Sequence, residues 1–408
     1  MASKRNRPYL GERMNRIRYF LLLLMICLLA GSCSTTPPPL PEQDLNVAED
    51  EDRLWQRAAE EQARFESSGI IYRDPALEDY LHQIAEKLQP LEVREKYNFR
   101  IRLIKDPYLN AFAFPNGVIY LHTGILSRLD NEAQLAALLA HEMTHCTSRH
   151  ALRAFSGLKN QNSLILSLKQ AVARIASTGD LLDLFGTTAS MAAINGYAQH
   201  FETEADKGGL QLVAEAGYDP GEALRLFEHL KQELETENLK EPFFFATHPQ
   251  LQKRIENAKG FLDSLTPPEA NGIKNKEVFL DKIHRVLLYN ASLDLKAGRF
   301  RAALRGAEKY LTLRKDDPKG YFLVGEILRQ RGEGKDDLRA KDFYEKAIAL
   351  DPSYPEPHKA IGLIHFKEGD WVLAKRSFES SLALSPHMQD RAYIQGYLQE
   401  CSKRGTGQ

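Results

Sequence analysis

Leu77, Tyr80, Leu81, Ile84 and Leu88 recur at three- and four-residue intervals, which sets them on one face of a helix running from about Pro75 to Leu88. A helical pattern also occupies about 52–63. Phe99, Ile101 and Leu103 then alternate with Asn98, Arg100 and Arg102, the two-residue period of a half-buried strand. A second strand, Val118 to His122, is expected after the turn Pro115-Asn116-Gly117. Asn131 with Gln134 three residues later has the form of a capping box, and the apolar run 133–140 continues it as a long helix. The pattern predicts an α+β fold, mostly α: helices around a small sheet.

After Pro267-Pro268-Glu269-Ala270-Asn271-Gly272, a linker by composition, a repeat of about 34 residues begins. One copy has Gly362, Ala374, Phe378 and Pro386. The copy before it has Gly325, Ala340, Tyr344, Ala347 and Pro352, with an insertion at 332–337, and a weaker first copy has Ala291, Gly298, Phe300 and Ala303. Small residues at such points let paired helices approach while the aromatics fill the gap, as in a tetratricopeptide (TPR) solenoid. An ordinary helical bundle with chance periodicity is the other reading. The expected division is a signal segment 1–33, a tether 34–51, a first folded unit 52–265, a linker 266–283, and three repeats with a C-terminal capping helix over 284–405.

Charge narrows the partners. The 408 residues carry 54 Lys plus Arg against 55 Asp plus Glu, a balance that argues against nucleic acid. The N-terminus departs from this balance, because Arg13, Arg16 and Arg18 precede an apolar run, 20–30, too short to span a membrane, followed by Gly31-Ser32-Cys33. A small residue before cysteine is the form of a lipoprotein signal, with Cys33 lipidated and Met14 an alternative start. Cleavage without lipid and an uncleaved anchor are the alternatives. The proline-rich STTPPPLPE (34–42) reads as a semi-rigid spacer. Export to a periplasm and a lipid anchor on a membrane follow as expectations. Cys146 and Cys401 then remain as two distant thiols able to pair in an oxidising compartment, and too few for a cysteine metal site.

The chemistry lies in His141-Glu142-Met143-Thr144-His145. Two imidazoles four residues apart share one helix face and can reach one metal, and Glu142 stands beside them to take a proton from an attacking water. Nitrogen donors with an open position point to zinc. The longer three-histidine pattern is absent, since Ser148 and Ala151 stand at its glycine and histidine positions. A downstream carboxylate is the better third ligand. In Phe201-Glu202-Thr203-Glu204-Ala205-Asp206, Glu202 and Asp206 share a face, so Glu202 can complete the metal set while Asp206 orients a ligand histidine; Glu204 points elsewhere. A solvated acidic helix face is the plain alternative.

HEMTHCTSRHA (141–151), ETEAD (202–206), NAFAFPNGVIYLHTGIL (110–126) and THPQLQKRI (247–255) occur in the order seen in HtpX-like and CAAX-protease-like gluzincin metallopeptidases, which this chain resembles over most of 60–400. With an exported N-terminus and C-terminal TPR repeats it looks most like the BepA-type branch, periplasmic metallopeptidases and chaperones. The resemblance implies one zinc held by His141, His145 and Glu202, with Asp206 orienting and Glu142 catalytic. It implies an edge at Asn110, Ala111 and Phe112 that pairs with extended substrate. His248 would be a fourth ligand or an oxyanion donor, although a Thr-His-Pro turn by itself reads more often as a loop. Gln199 and Phe114 depart from the family's arginine and smaller aliphatic residue. The region 155–195 reads either as packed helices or as a lid.

The function expected is a zinc endopeptidase of unfolded or misassembled cell-envelope proteins, with clients or partners held by the repeats. By resemblance these are β-barrel precursors and the outer-membrane assembly machinery. The alternative is mainly a chaperone or assembly adaptor with a latent metal site. A purely structural repeat scaffold would require both motifs to be accidents.

Overall fold

The computed structural model describes residues 47–159, 197–237, 251–264 and 272–405. The signal segment with Cys33, the spacer as far as Asn46, His248, nearly all of the candidate lid and the Pro267-Pro268 stretch lie outside the described residues.

Helix α1 (Val47–Ser67) starts inside the stretch expected as tether and outruns the expected end near 63. Glu49 and Asp50 in its first turn suit the positive end of a helix, and Leu54, Ala58 and Phe65 are buried along one side. Helix α2 (Pro75–Leu88) has Pro75 in its first turn and an Asp74 cap accepting from the Leu77 amide at 3.2 Å, and it buries the stripe read from the sequence.

Four strands, β1 (Ile71–Tyr72), β2 (Arg100–Ile104), β3 (Ala111–Ala113) and β4 (Val118–His122), form a sheet in the order β1-β2-β4-β3. Strands β2 and β4 are parallel, the other pairs antiparallel. Tyr120 of β4 packs with Phe65 of α1, while Ile119 and Leu121 join the main core, so β4 is buried on both faces. Strand β3 is an edge.

Helices α3 (Leu91–Arg94) and α4 (Thr123–Arg128) connect these elements. Helix α5 (Glu132–Thr147) begins with Asn131 Oδ1 accepting from the Gln134 amide at 3.0 Å. The return bond goes to Asp130 instead of Asn131, whose side chain Nδ2 donates to Glu222. Every residue from Glu132 to Cys146 is buried, which accounts for an apolar run with no polar stripe. Glu132 is tolerated inside because Tyr80, Tyr218 and Asn275 all donate to its carboxylate. After α6 (His150–Lys159), helix α7 (Gln199–Glu215) lies along α5, and α8 (Gly221–Glu237) and α9 (Leu251–Leu262) pack outside it.

Helix α10 (Lys276–Lys296) begins within the expected linker, and Phe279, Ile283, Val286 and Leu287 belong to the core built around α5. The repeat region is thus rooted in the catalytic unit instead of starting after a spacer. Helix α10 pairs with α11 (Phe300–Leu313), α12 (Pro318–Arg331) with α13 (Asp336–Leu350), and α14 (Pro355–Glu368) with α15 (Trp371–Leu384), followed by α16 (Arg391–Gly405). A Cβ at Gly325 would stand 2.4 Å from the Tyr344 ring, and one at Gly362 2.7 Å from the Phe378 ring, so these glycines admit the repeat aromatics. Of the insertion at 332–337, residues 332–335 form a turn with Gly332 and Gly334 at positive φ, and Asp336 and Asp337 open α13.

Cys146 and Cys401 are both free and buried in separate clusters, the first in the main core and the second among Ala374, Phe378 and Ile394. The pairing allowed by the sequence does not occur in this fold. Among the described residues no helix is long and apolar enough to cross a membrane.

Candidate metal centre

Helix α5 presents His141 and His145 one turn apart, and α7 brings Glu202 against them. His141 Nε2 is 3.1 Å from His145 Nε2 and 3.5 Å from Glu202 Oε2, and His145 Nε2 is 3.4 Å from Glu202 Oε1. A tetrahedral ion with bonds of about 2.0–2.1 Å requires donors about 3.3 Å apart, so two imidazoles and a carboxylate fit zinc by spacing and by donor type. Close approach of the helices depends on Gly208 and Gly209. A Cβ on Gly209 would meet the His141 backbone nitrogen at 3.0 Å, and one on Gly208 would meet Thr144 Cγ2 at 2.7 Å. Glu142 is 1% exposed and adjoins His141 on α5.

Each histidine has its own support. His141 Nδ1 lies 3.0 Å from Asp206 Oδ1. Arg254 on α9 grips that carboxylate with Nε at 3.1 and 3.0 Å from its two oxygens and Nη2 at 2.7 Å, and it reaches Glu202 at 3.8 Å. Burial pushes the Asp206 carboxyl up, but Arg254 and His141 outweigh it and hold it below the usual range. Burial and Arg254 push His141 down, while Asp206 and Glu202 pull harder, to about 9. The surplus carboxylate charge that favours a proton here equally favours a dication.

His145 Nδ1 lies 2.9 Å from His150 Nδ1, and His150 Nε2 lies 3.3 Å from Glu204. Burial depresses His150 to about 4, against the pull of Glu204, so it is neutral. Hydrogen-bond logic then assigns one proton order: His145 Nδ1–H donates to His150 Nδ1, and His150 Nε2–H faces Glu204, so the His145 Nε2 on the side of His141 and Glu202 carries the lone pair a metal requires. Tyr197 stacks on His145 with ring centroids 4.1 Å apart. Arg149 at φ +52° ends the α5 turn and starts the chain back, which carries His150 over His145. Glu204 is directed away from the donor set, as read, yet it supports His150.

Sequence reasoning did not single out His150 and Arg254, although both lie inside the quoted motifs. Five residues past His145, across a helix break, His150 has no predictable face, and Arg254 sits among ordinary helix-surface charges. Asn110 accepts from the His122 amide through its carbonyl at 3.0 Å. Ala111 pairs with Leu121, and Phe112 buries its ring against Phe65, Phe114 and Tyr120. The ladder bonds at Asn110 and Phe114 place Phe112, two residues from each, in a bonded pair with Tyr120, so the backbone groups left on the outer side of this edge are those of Ala111 and Ala113. Ala113, the last residue of β3, lines one recess together with His145, Tyr97 and Trp55.

Residues 74–261, which contain all of these groups, match the model of Peptidase family M48. This segment is an M48 peptidase domain. The chain is 29% identical over 235 residues to the "Beta-barrel assembly-enhancing protease" of Escherichia coli (strain K12), covering 55% of this chain and 46% of that protein. It is 28% identical over 183 residues to the "Mitochondrial metalloendopeptidase OMA1" of Schizosaccharomyces pombe, covering 45% and 52%. The match thus spans about half the length of these curated relatives. Among solved structures, yeast Tom70 aligns at 14% identity with a TM-score of 0.30, over 89% of this chain and 76% of that one. In the M48 domain of this chain, the family's metallopeptidase character coincides with the cluster His141, His145 and Glu202, whose donor atoms all lie within 4.8 Å of one another.

Proposed function

We propose that this chain is a zinc-dependent endopeptidase of unfolded or misassembled cell-envelope proteins, working at the periplasmic face of a lipid-anchored membrane attachment through Cys33. The observation that carries the chemistry is the buried donor set with a separate orienting partner behind each histidine. Bound at His141, His145 and Glu202, zinc supplies Lewis acidity to water and to the scissile carbonyl. Glu142 takes the proton from the attacking water and delivers it to the leaving amine. Asp206 and His150 hold the ring nitrogens in the metal-binding tautomers, with Arg254 fixing Asp206. Extended polypeptide laid along β3 would run by backbone hydrogen bonds towards the recess beside His145, a mode indifferent to most side chains and suited to damaged clients. His248 belongs to this reading as a residue closing the open metal position or donating to the oxyanion.

The repeats would hold a client or the outer-membrane assembly machinery, a role supported by the names of the bacterial relatives. Because α10 is shared between both parts, a captured client would be held at a fixed distance from the metal centre. The test compares zinc content and casein hydrolysis of wild type and Glu142→Gln. The reading requires about one zinc in both and cleavage only in wild type; a wild type that cannot be loaded with zinc overturns it. If Glu142→Gln still restores outer-membrane assembly to cells lacking the protein, the chaperone role dominates.

A further inference from the structure

His365, in the last turn of α14, is only 6% exposed, yet its Nδ1 has no hydrogen-bond partner. That nitrogen faces two carboxylates, Glu368 Oε2 at 3.6 Å and Asp370 Oδ2 at 3.8 Å. Both separations are too long for hydrogen bonds. The backbone builds the arrangement. Glu368 lies three residues on and so shares the face of His365. Gly369, at φ +85°, ends the helix in the left-handed region, and the Asp370 amide turns back to the His365 carbonyl at 2.9 Å.

Asp370 also occupies the N-cap of α15, where an aspartate ordinarily accepts from an amide of the first turn. Its side chain makes no such bond. A capping carboxylate that leaves the cap, and a buried imidazole nitrogen that lacks a partner, therefore face one point from two sides.

We propose that the α14–α15 turn is a second divalent-cation site, taking a zinc-class ion through His365 Nδ1, Glu368 and Asp370 with water completing the shell. The donors fall within 4.8 Å of one another, and the spacings of 3.6 and 3.8 Å are near the roughly 3.3 Å that a tetrahedral ion requires. The adjustment falls on the carboxylates, 38% and 59% exposed, which can rotate while the buried ring stays in place. A single nitrogen donor and solvent-facing carboxylates make this site weaker than the M48 centre. An ion here would clamp the last helix pair of the repeats, independently of peptidase chemistry.

Trp371 follows Asp370 and is one of two tryptophans in the chain, so it reports on this turn. In full-length, tag-free protein carrying Trp55→Phe, titration with Ni2+ should quench Trp371 fluorescence saturably. His365→Ala should weaken that response by at least the roughly tenfold seen when a metal loses even an outer-shell partner. Equilibrium dialysis against zinc should give two ions per chain in wild type and one in His365→Ala. Because removing a buried ring can disturb folding, Asp370→Asn provides the second arm: it keeps shape at an exposed position and must weaken quenching as well. Unchanged Ni2+ quenching in Asp370→Asn, or one zinc per chain in wild type, overturns the proposal.

Discussion

Replacing Asp206 by asparagine separates two jobs that this carboxylate performs. Its side chain and that of Arg254 are each 3% exposed, and Arg254 Nε and Nη2 make three contacts with it between 2.7 and 3.1 Å. Removing the charge leaves a buried guanidinium with Glu202 as its nearest carboxylate at 3.8 Å. Breaking a buried pair from one side costs about 3–5 kcal/mol, and the residual attraction of Glu202 places Asp206→Asn near the lower end, about 3 kcal/mol. Zinc affinity should fall about 10- to 100-fold, about 1.4–2.7 kcal/mol, because His141 Nδ1 loses its anionic acceptor. The double variant Asp206→Asn/Arg254→Met removes the stranded charge and should recover most of the stability while zinc binding stays weak. Urea unfolding of the metal-free protein and chelator competition for zinc measure the two quantities separately. Recovery of zinc affinity in the double variant, or a single variant that loses neither quantity, would refute the assignment.

His150→Phe keeps a ring beside Phe201 but removes the acceptor for His145 Nδ1, so zinc should bind about 10- to 100-fold more weakly with folding retained; equal affinity by chelator competition would contradict the relay. Gly209→Ala puts a methyl 3.0 Å from the His141 backbone and should lower zinc occupancy, read by atomic absorption, by forcing α7 away from α5. A chain ended at 265 loses Phe279, Ile283, Val286 and Leu287 from the main core. At about 1.5–3 kcal/mol per buried side chain that is roughly 6–12 kcal/mol, comparable to the whole stability of a domain, so the truncated peptidase should be insoluble or molten and one ended after α11 should be rescued; circular dichroism decides. Burial raises the Glu222 carboxyl, but Lys274, Asn131 and Gln134 hold it below its usual range. Its folded pKa is thus below the unfolded one, so its contribution is complete above about pH 5 and lost as acid protonates it; Lys274→Met should flatten the decline of unfolding midpoint between about pH 5 and 3.

Local spacing in the sequence determined whatever depends on angular position about one helix or strand. The α2 stripe, the alternation through β2, the pairing of His141 with His145 and that of Glu202 with Asp206 are all set by periods of 3.6 or 2, and the glycine–aromatic spacing of the repeats is likewise periodic. Tertiary structure alone decided which of these faces meet. Arg254 finds Asp206 across 48 positions because α9 packs on α7, and no period in the chain carries that information. His150 reaches His145 only because Arg149 takes a left-handed conformation that the sequence does not announce. Helix α10 looked like linker followed by the first repeat because its apolar residues serve two partners at once, and only packing against α5 shows that the repeats and the M48 domain share a core. Cys146 and Cys401 are separated for the same reason: each is buried where its own helix packs, and those packings lie in different clusters.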